Sequence, residues 1–106
     1  MNKLVKLFDI VVEVAEVKGV CDAKLKKGDK FVLSGPNIDL EKSDGVCYWA
    51  LSDLMPAMLS IQLGHDPKEL TLSNESGVAY MCCSDPGPPY TPCGNVVFRI
   101  KKLDRS

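Results

Sequence analysis

Arginine is nearly missing from this chain: Arg99 and Arg105 are the only two among 13 basic side chains, and 14 acidic residues leave a formal charge of −1. The planar guanidinium forks that grip phosphates and base edges are therefore scarce, and there is no basic excess to hold a polyanion. These shortages argue against a nucleic-acid partner. Long apolar runs are missing too. No stretch approaches the ~18 uninterrupted apolar residues that span a bilayer, so the sequence predicts no membrane segment. Lys3 and Lys6 precede apolar residues in the manner of a secretory leader, but Asp9 and Glu13 interrupt the apolar core and no small-residue cleavage site follows. The segment reads as mature structure, and the protein as soluble and cytoplasmic. Histidine occurs once, at His65. No G-x-S-x-G elbow, P-loop or G-x-G-x-x-G fingerprint is present, which leaves hydrolase, nucleotidase and dinucleotide-binding readings without a motif.

What the chain does contain is the composition of one globular domain spanning residues 1–106, with 45% hydrophobic and 25% charged residues. It also contains five cysteines, Cys21, Cys47, Cys82, Cys83 and Cys93, none of them in a C-x-x-C pair. An odd count without an export signal argues for reduced thiols rather than a disulfide scaffold.

Residues 7–18 read as a long strand with Phe8, Ile10, Val12 and Val14 on one face and Asp9 and Glu13 on the other. The alternation slips after Val14, and a bulge near Ala15 and Glu16 would return Val17 to the core. Gly28-Asp29 turns the basic stretch Lys24–Lys27 into a second strand, Lys30–Ser34, which Gly35-Pro36-Asn37 stops. Residues 35–46 form a polar connection in which Ser43 or Asp44 is positioned to cap a helix. From Val46 to Leu63, Ala50, Leu51, Leu54, Met58 and Ile61 recur at spacings of three and four, predicting an amphipathic helix ended by Gly64. Pro56 lies inside it and predicts a kink or two short helices, with Met55 and Met58 beside it as core filler. Two further strands follow, Gly77–Cys83 and Asn95–Leu103, joined by a connector, Ser84–Gly94, whose four prolines predict a stiff, extended course. The expected architecture is α+β: a small curled, mainly antiparallel four-stranded sheet packed on one kinked helix.

Successive side chains of a strand point to opposite faces, so Cys82 and Cys83 cannot share a site unless the strand has ended there. Cys47 falls at the start of the helix, where unpaired amide donors and the positive end of the dipole favour a thiolate. Cys21 follows the first strand and Cys83 ends the third. Convergence of these junctions would gather Cys21, Cys47 and Cys83 into a centre for a zinc or iron ion, since soft sulfur ligands prefer such metals, or into a thiol redox site. Their wide spacing lacks the short knuckle of most zinc sites, and the competing reading is that all are small buried hydrophobes. His65-Asp66 and Cys47 would sit at opposite ends of a helix about 25 Å long, which rules against a catalytic trio. Two other classes remain: a cysteine-dependent enzyme using Asp29, Asp44 or Asp85 as acid or base, and an interaction module that pairs a half-exposed helix carrying Tyr48 and Trp49, and an edge strand, with a second copy or another protein.

The ordered pieces Gly19-Val20-Cys21, Lys27-Gly28-Asp29-Lys30-Phe31, Val46-Cys47-Tyr48-Trp49-Ala50-Leu51 with Pro56 and Gly64, and Cys83-Ser84-Asp85-Pro86 ahead of Val96-Val97-Phe98-Arg99-Ile100 resemble a family of small uncharacterised proteins known mainly from anaerobic bacteria and archaea. The resemblance covers most of the chain. It implies a single compact domain with cysteines at positions matching Cys21, Cys47 and Cys83, while Cys82, Cys93 and the proline-rich connector fall outside the pattern.

Overall fold

The computed structural model describes residues 7–21 and 23–103; the leader-like lysines Lys3 and Lys6 lie outside them. Strand β1 (Ile10–Lys18) is followed by the hairpin of β2 (Lys30–Ser34) and β3 (Asn37–Asp39), a single 3-10 turn (Leu40–Lys42), helix α1 (Tyr48–Gln62), β4 (Val78–Cys82) and β5 (Asn95–Lys102). All neighbouring pairs are antiparallel, in the order β3-β2-β1-β5-β4. The α+β class and the single helix agree with the sequence reading, and the sheet has five strands where four are expected. Gly35, at φ +57, and Pro36 do not merely end β2 but form the two-residue loop that pairs Ser34 with Asn37. A three-residue strand is too short to show an alternation.

Period-two patterning explains the core. Ile10, Val12 and Val14 of β1, Phe31 and Leu33 of β2 and Val96, Phe98 and Ile100 of β5 are buried on one face, against Ala50, Leu54, Ala57, Met58 and Ile61 of α1. At about 1.5–3 kcal/mol for each large side chain fully removed from water, this shared layer is the main stabilising term. The expected bulge is present: Val14 pairs with Phe98 and Glu16 with Val97, so Ala15 is the extra residue and Val17 packs against the core. The opposite face carries a cross-strand row, Lys30–Glu13–Arg99–Tyr80, in which Arg99 Nη1 lies 2.6 Å from Glu13 Oε1 and Arg99 stacks at 5.6 Å on the Tyr80 ring.

Several local expectations are corrected. Phe8 precedes β1 and is 44% exposed rather than core, with the Lys102 ammonium 4.2 Å above its ring. Ser43 and Asp44 do not cap α1. Their side chains accept the Val32 and Lys30 amides at 3.0 and 3.1 Å, covering the edge of β2, because β3 is too short to do so. Helix α1 runs unbroken through Pro56, so two short helices are excluded. The proline and Ser52, whose carbonyl loses its donor, are both exposed, leaving that carbonyl to water. Met58 is core, but Met55 is 54% exposed. The connector is folded back instead of extended: the amides of Tyr90 and Thr91 both bond the Gly87 carbonyl.

Candidate functional site

Three loops meet where β1 and β4 end and α1 begins. Cys47 is the N-cap residue of α1, with extended backbone (φ −97, ψ 118) and a carbonyl that accepts the Leu51 amide at 3.0 Å. Its side chain makes no capping bond and the first turn holds no acidic residue. Cys83 lies one residue past β4. Its amide still bonds the Val96 carbonyl at 3.0 Å, but the return bond is altered: the Val96 amide donates to Cys83 Sγ at 3.3 Å while the Cys83 carbonyl accepts from Asn95 Nδ2 at 3.0 Å. A backbone donor thus fixes the position of the sulfur. Cys82, within the strand, is exposed, so the alternation separates the two neighbours as expected.

Cys21 is brought in by glycines. Gly19, at φ +92, turns the chain out of β1, and Gly94 lets that turn pass against the start of β5: a Cβ on Gly94 would lie 1.9 Å from the Lys18 carbonyl oxygen. As a result Cys21, Cys47 and Cys83, tens of residues apart in sequence, line one cavity of about 60 Å³ together with Trp49, Asp53 and Asp85. That volume admits an ion or a few waters and is far below the ~300 Å³ at which pockets for organic ligands begin. The three thiols border a common space without closing on a point: among the described residues no group of three or more Cys, His, Asp or Glu side chains is already gathered to hold a metal ion. Among the described residues, also, no lysine, arginine or histidine lines the cavity.

The surrounding acids have identifiable tasks. Asp53 Oδ2 accepts the Ser84 amide at 2.9 Å and ties α1 to the segment after β4. Asp85 accepts the Gly87 amide at 2.8 Å and the Thr91 hydroxyl, and these bonds, the hydroxyl first, hold its carboxyl below the usual range. A carboxylate so engaged is a poor base, which weighs against the enzyme reading. Asp29 accepts the Lys26 amide and Asp44 that of Lys30, and neither lines the cavity. Asn95 Nδ2 also donates to the Asp85 carbonyl at 3.0 Å, so one side chain pins both turns of the connector's entry. Asp53, Gly94 and Asn95 were not legible as site residues. The one available signal was Asp53 as the sole charged residue of α1.

His65 is exposed beyond the other end of α1, roughly 22 Å of helix away from Cys47 at 1.5 Å per residue, beside a separate cleft of about 690 Å³ that also holds Asp66, Lys101 and Lys102. Asp66 clamps its own loop by accepting the Lys68 and Gly77 amides at 3.1 and 3.0 Å. Cys93 is half-buried and is not among the residues lining the thiol cavity. Beside the cavity mouth Tyr48 and Trp49 are 76% and 62% exposed, with rings edge-on at 6.0 Å. No helix among the described residues is long and apolar enough to cross a membrane. No family model, curated protein or solved structure matches the chain.

Proposed function

We propose that this is a small thiol protein that takes up one thiophilic metal ion, zinc or iron, between Cys21, Cys47 and Cys83. The observation that carries the reading is the convergence of these three distant thiols on a single ion-sized cavity. Charge favours a cation over plain thiol redox chemistry. The cavity is lined by two carboxylates, Asp53 and Asp85, and among the described residues by no Lys, Arg or His, a balance of charge that suits a cation. Cys47 is fixed at the start of α1 and Cys83 Sγ is held by the Val96 amide, so uptake of an ion would draw the Cys21 segment in to close the shell.

Elemental analysis after anaerobic reconstitution tests the proposal. The expected result is one zinc or iron per chain, lost in Cys47→Ser with the fold retained. A chain that stays metal-free, with a Cys47-dependent disulfide forming under oxidant, would replace it with the redox reading.

A second reading concerns a different surface. Tyr48, Met55, Leu59 and Leu63 form one exposed apolar stripe on the side of α1 turned away from the sheet. Water is a poor neighbour for such a stripe, and self-association through it follows. Sedimentation checks this: a concentration-dependent dimer that Leu59→Glu abolishes is expected, and a strict monomer at high concentration refutes it.

A further inference from the structure

We infer that the cleft beyond the C-terminal end of α1 binds a small organic anion, a carboxylate on an apolar body, with Lys102 as the cation that meets its charge. This site is separate from the thiol cavity and does not depend on metal uptake. Its volume of about 690 Å³ falls within the ~300–1,000 Å³ span of pockets for organic ligands. The buried side chains of Ile61 and Pro67 back it, and Leu103 borders it. The walls are tied in place by backbone bonds. The last four carbonyls of α1, Leu59, Ser60, Ile61 and Gln62, accept the amides of Leu63, His65, Gly64 and Phe8 respectively, and the Leu103 amide donates to the Asp9 carbonyl at 2.9 Å. Asp66 Oδ1 closes the third side by holding the Lys68 and Gly77 amides. A cleft built this way needs little ordering when a ligand enters.

Charge decides the class of ligand. Strand β5 carries Lys102 on the same face as Ile100, toward α1, and the Lys102 ammonium stands 4.2 Å from the centre of the Phe8 ring. Phe8 is itself fixed, since its amide bonds the Gln62 carbonyl and its ring lies 3.4 Å from where a Cβ on Gly64 would stand. A ring face orients an ammonium without neutralising it. Among the described residues neither Lys101 nor Lys102 forms an ion pair, and the one carboxylate lining the cleft, Asp66, is engaged by the amides of its own loop. The helix end, with its last carbonyls bonded, offers no free acceptor to a cation. Lys101 belongs by alternation to the opposite face and adds positive charge at the border, while His65 supplies a ring N–H donor in either neutral tautomer. An apolar backing beside an unpaired, oriented cation suits an anion with an apolar body better than a bare inorganic one.

Benzoate is the probe, with benzamide and acetate as comparisons, each titrated into the isotope-labelled full chain and followed by amide NMR. The amides of Gly64, His65, Lys102 and Leu103 should shift with benzoate and saturate together. Benzamide keeps the ring and loses the charge, and should bind at least about tenfold more weakly, as loss of a charge-assisted bond implies. Acetate keeps the charge and loses the apolar body, and should weaken by at least about tenfold as well. Lys102→Met retains a long stem over Phe8 without the ammonium and should weaken benzoate at least about fivefold. Lys42→Met removes the same charge from the 3-10 turn, away from the cleft, and should leave benzoate affinity within about twofold. No saturable shift up to about 20 mM benzoate, equal binding of benzamide, or unchanged affinity in Lys102→Met would overturn the inference. The thiol cavity stands or falls separately, on metal content.

Discussion

A single methyl group added at Gly94 would stand 1.9 Å from the Lys18 carbonyl oxygen and 2.8 Å from Gly19 Cα, both backbone atoms that cannot rotate aside. Separating the end of β1 from the start of β5 to an ordinary contact requires about 1.5 Å of movement at Lys18–Asn95, the last pair of the central ladder. Overpacking a side chain costs about 1–3 kcal/mol, and a rigid backbone obstacle puts Gly94→Ala at the top of that range, ~3 kcal/mol. For a domain of this size that is a fall in Tm of roughly 12–24 °C. Gly28→Ala provides the internal comparison. Gly28 has φ +93 and nothing within 4 Å of a new Cβ, so its cost is conformational only, about 1–2 kcal/mol. Urea unfolding of the two variants beside the parent protein measures both numbers. The same displacement pushes Cys21 away from the other two thiols, so Gly94→Ala should lose metal uptake under conditions where it remains folded and Gly28→Ala should not. A Gly94→Ala variant within 0.5 kcal/mol of the parent would refute the close approach and, with it, the route by which Cys21 reaches the cavity.

The facing of α1 is tested by a pair of truncations: Leu54→Ala, at a fully buried position, should cost about 3–5 kcal/mol, whereas Leu59→Ala on the exposed stripe should cost well under 1. Equal losses in denaturant titrations would mean the helix is rotated. Acid stability should report the two clamped carboxylates. Asp66, held below the usual range by the Gly77 and Lys68 amides, and Asp85, held by Thr91 and Gly87, each titrate lower folded than unfolded. Their contribution is complete above the unfolded value near ~3.9 and is lost as pH falls through the lower folded values. Unfolding free energy measured from pH 5 to pH 2 should therefore fall less steeply in Asp66→Asn than in the parent; an unchanged slope would remove Asp66 as a loop clamp.

The elements that depend on local periodicity were legible in the amino-acid order: β1 with its bulge, β2, β4, β5 and the one helix follow from alternations and three-and-four spacings that a chain must bury on one side. The separation of Cys82 from Cys83 followed from the same alternation. Elements that exist through pairing with something distant were not legible. Strand β3 is a partner to β2 too short to have a pattern, and Ser43 and Asp44, which resemble helix caps, satisfy strand-edge amides because those were nearer. Phe8 and Met55 are large apolar residues that lie outside the core because Phe8 precedes β1 and Met55 is on the side of α1 turned away from the sheet.

For the site, sequence alone determined which thiols stand at element boundaries and that one of them begins a helix, because residue type and periodicity are local properties. Whether those boundaries meet was decided only by the tertiary structure. Sheet order puts the ends of β1 and β4 on either side of the β5 start, a bare Gly94 lets backbones pass within contact, and Asp53 and Asn95 reach across to hold the turns. A distance between residues tens of positions apart is a property of packing, and no single stretch of chain carries it.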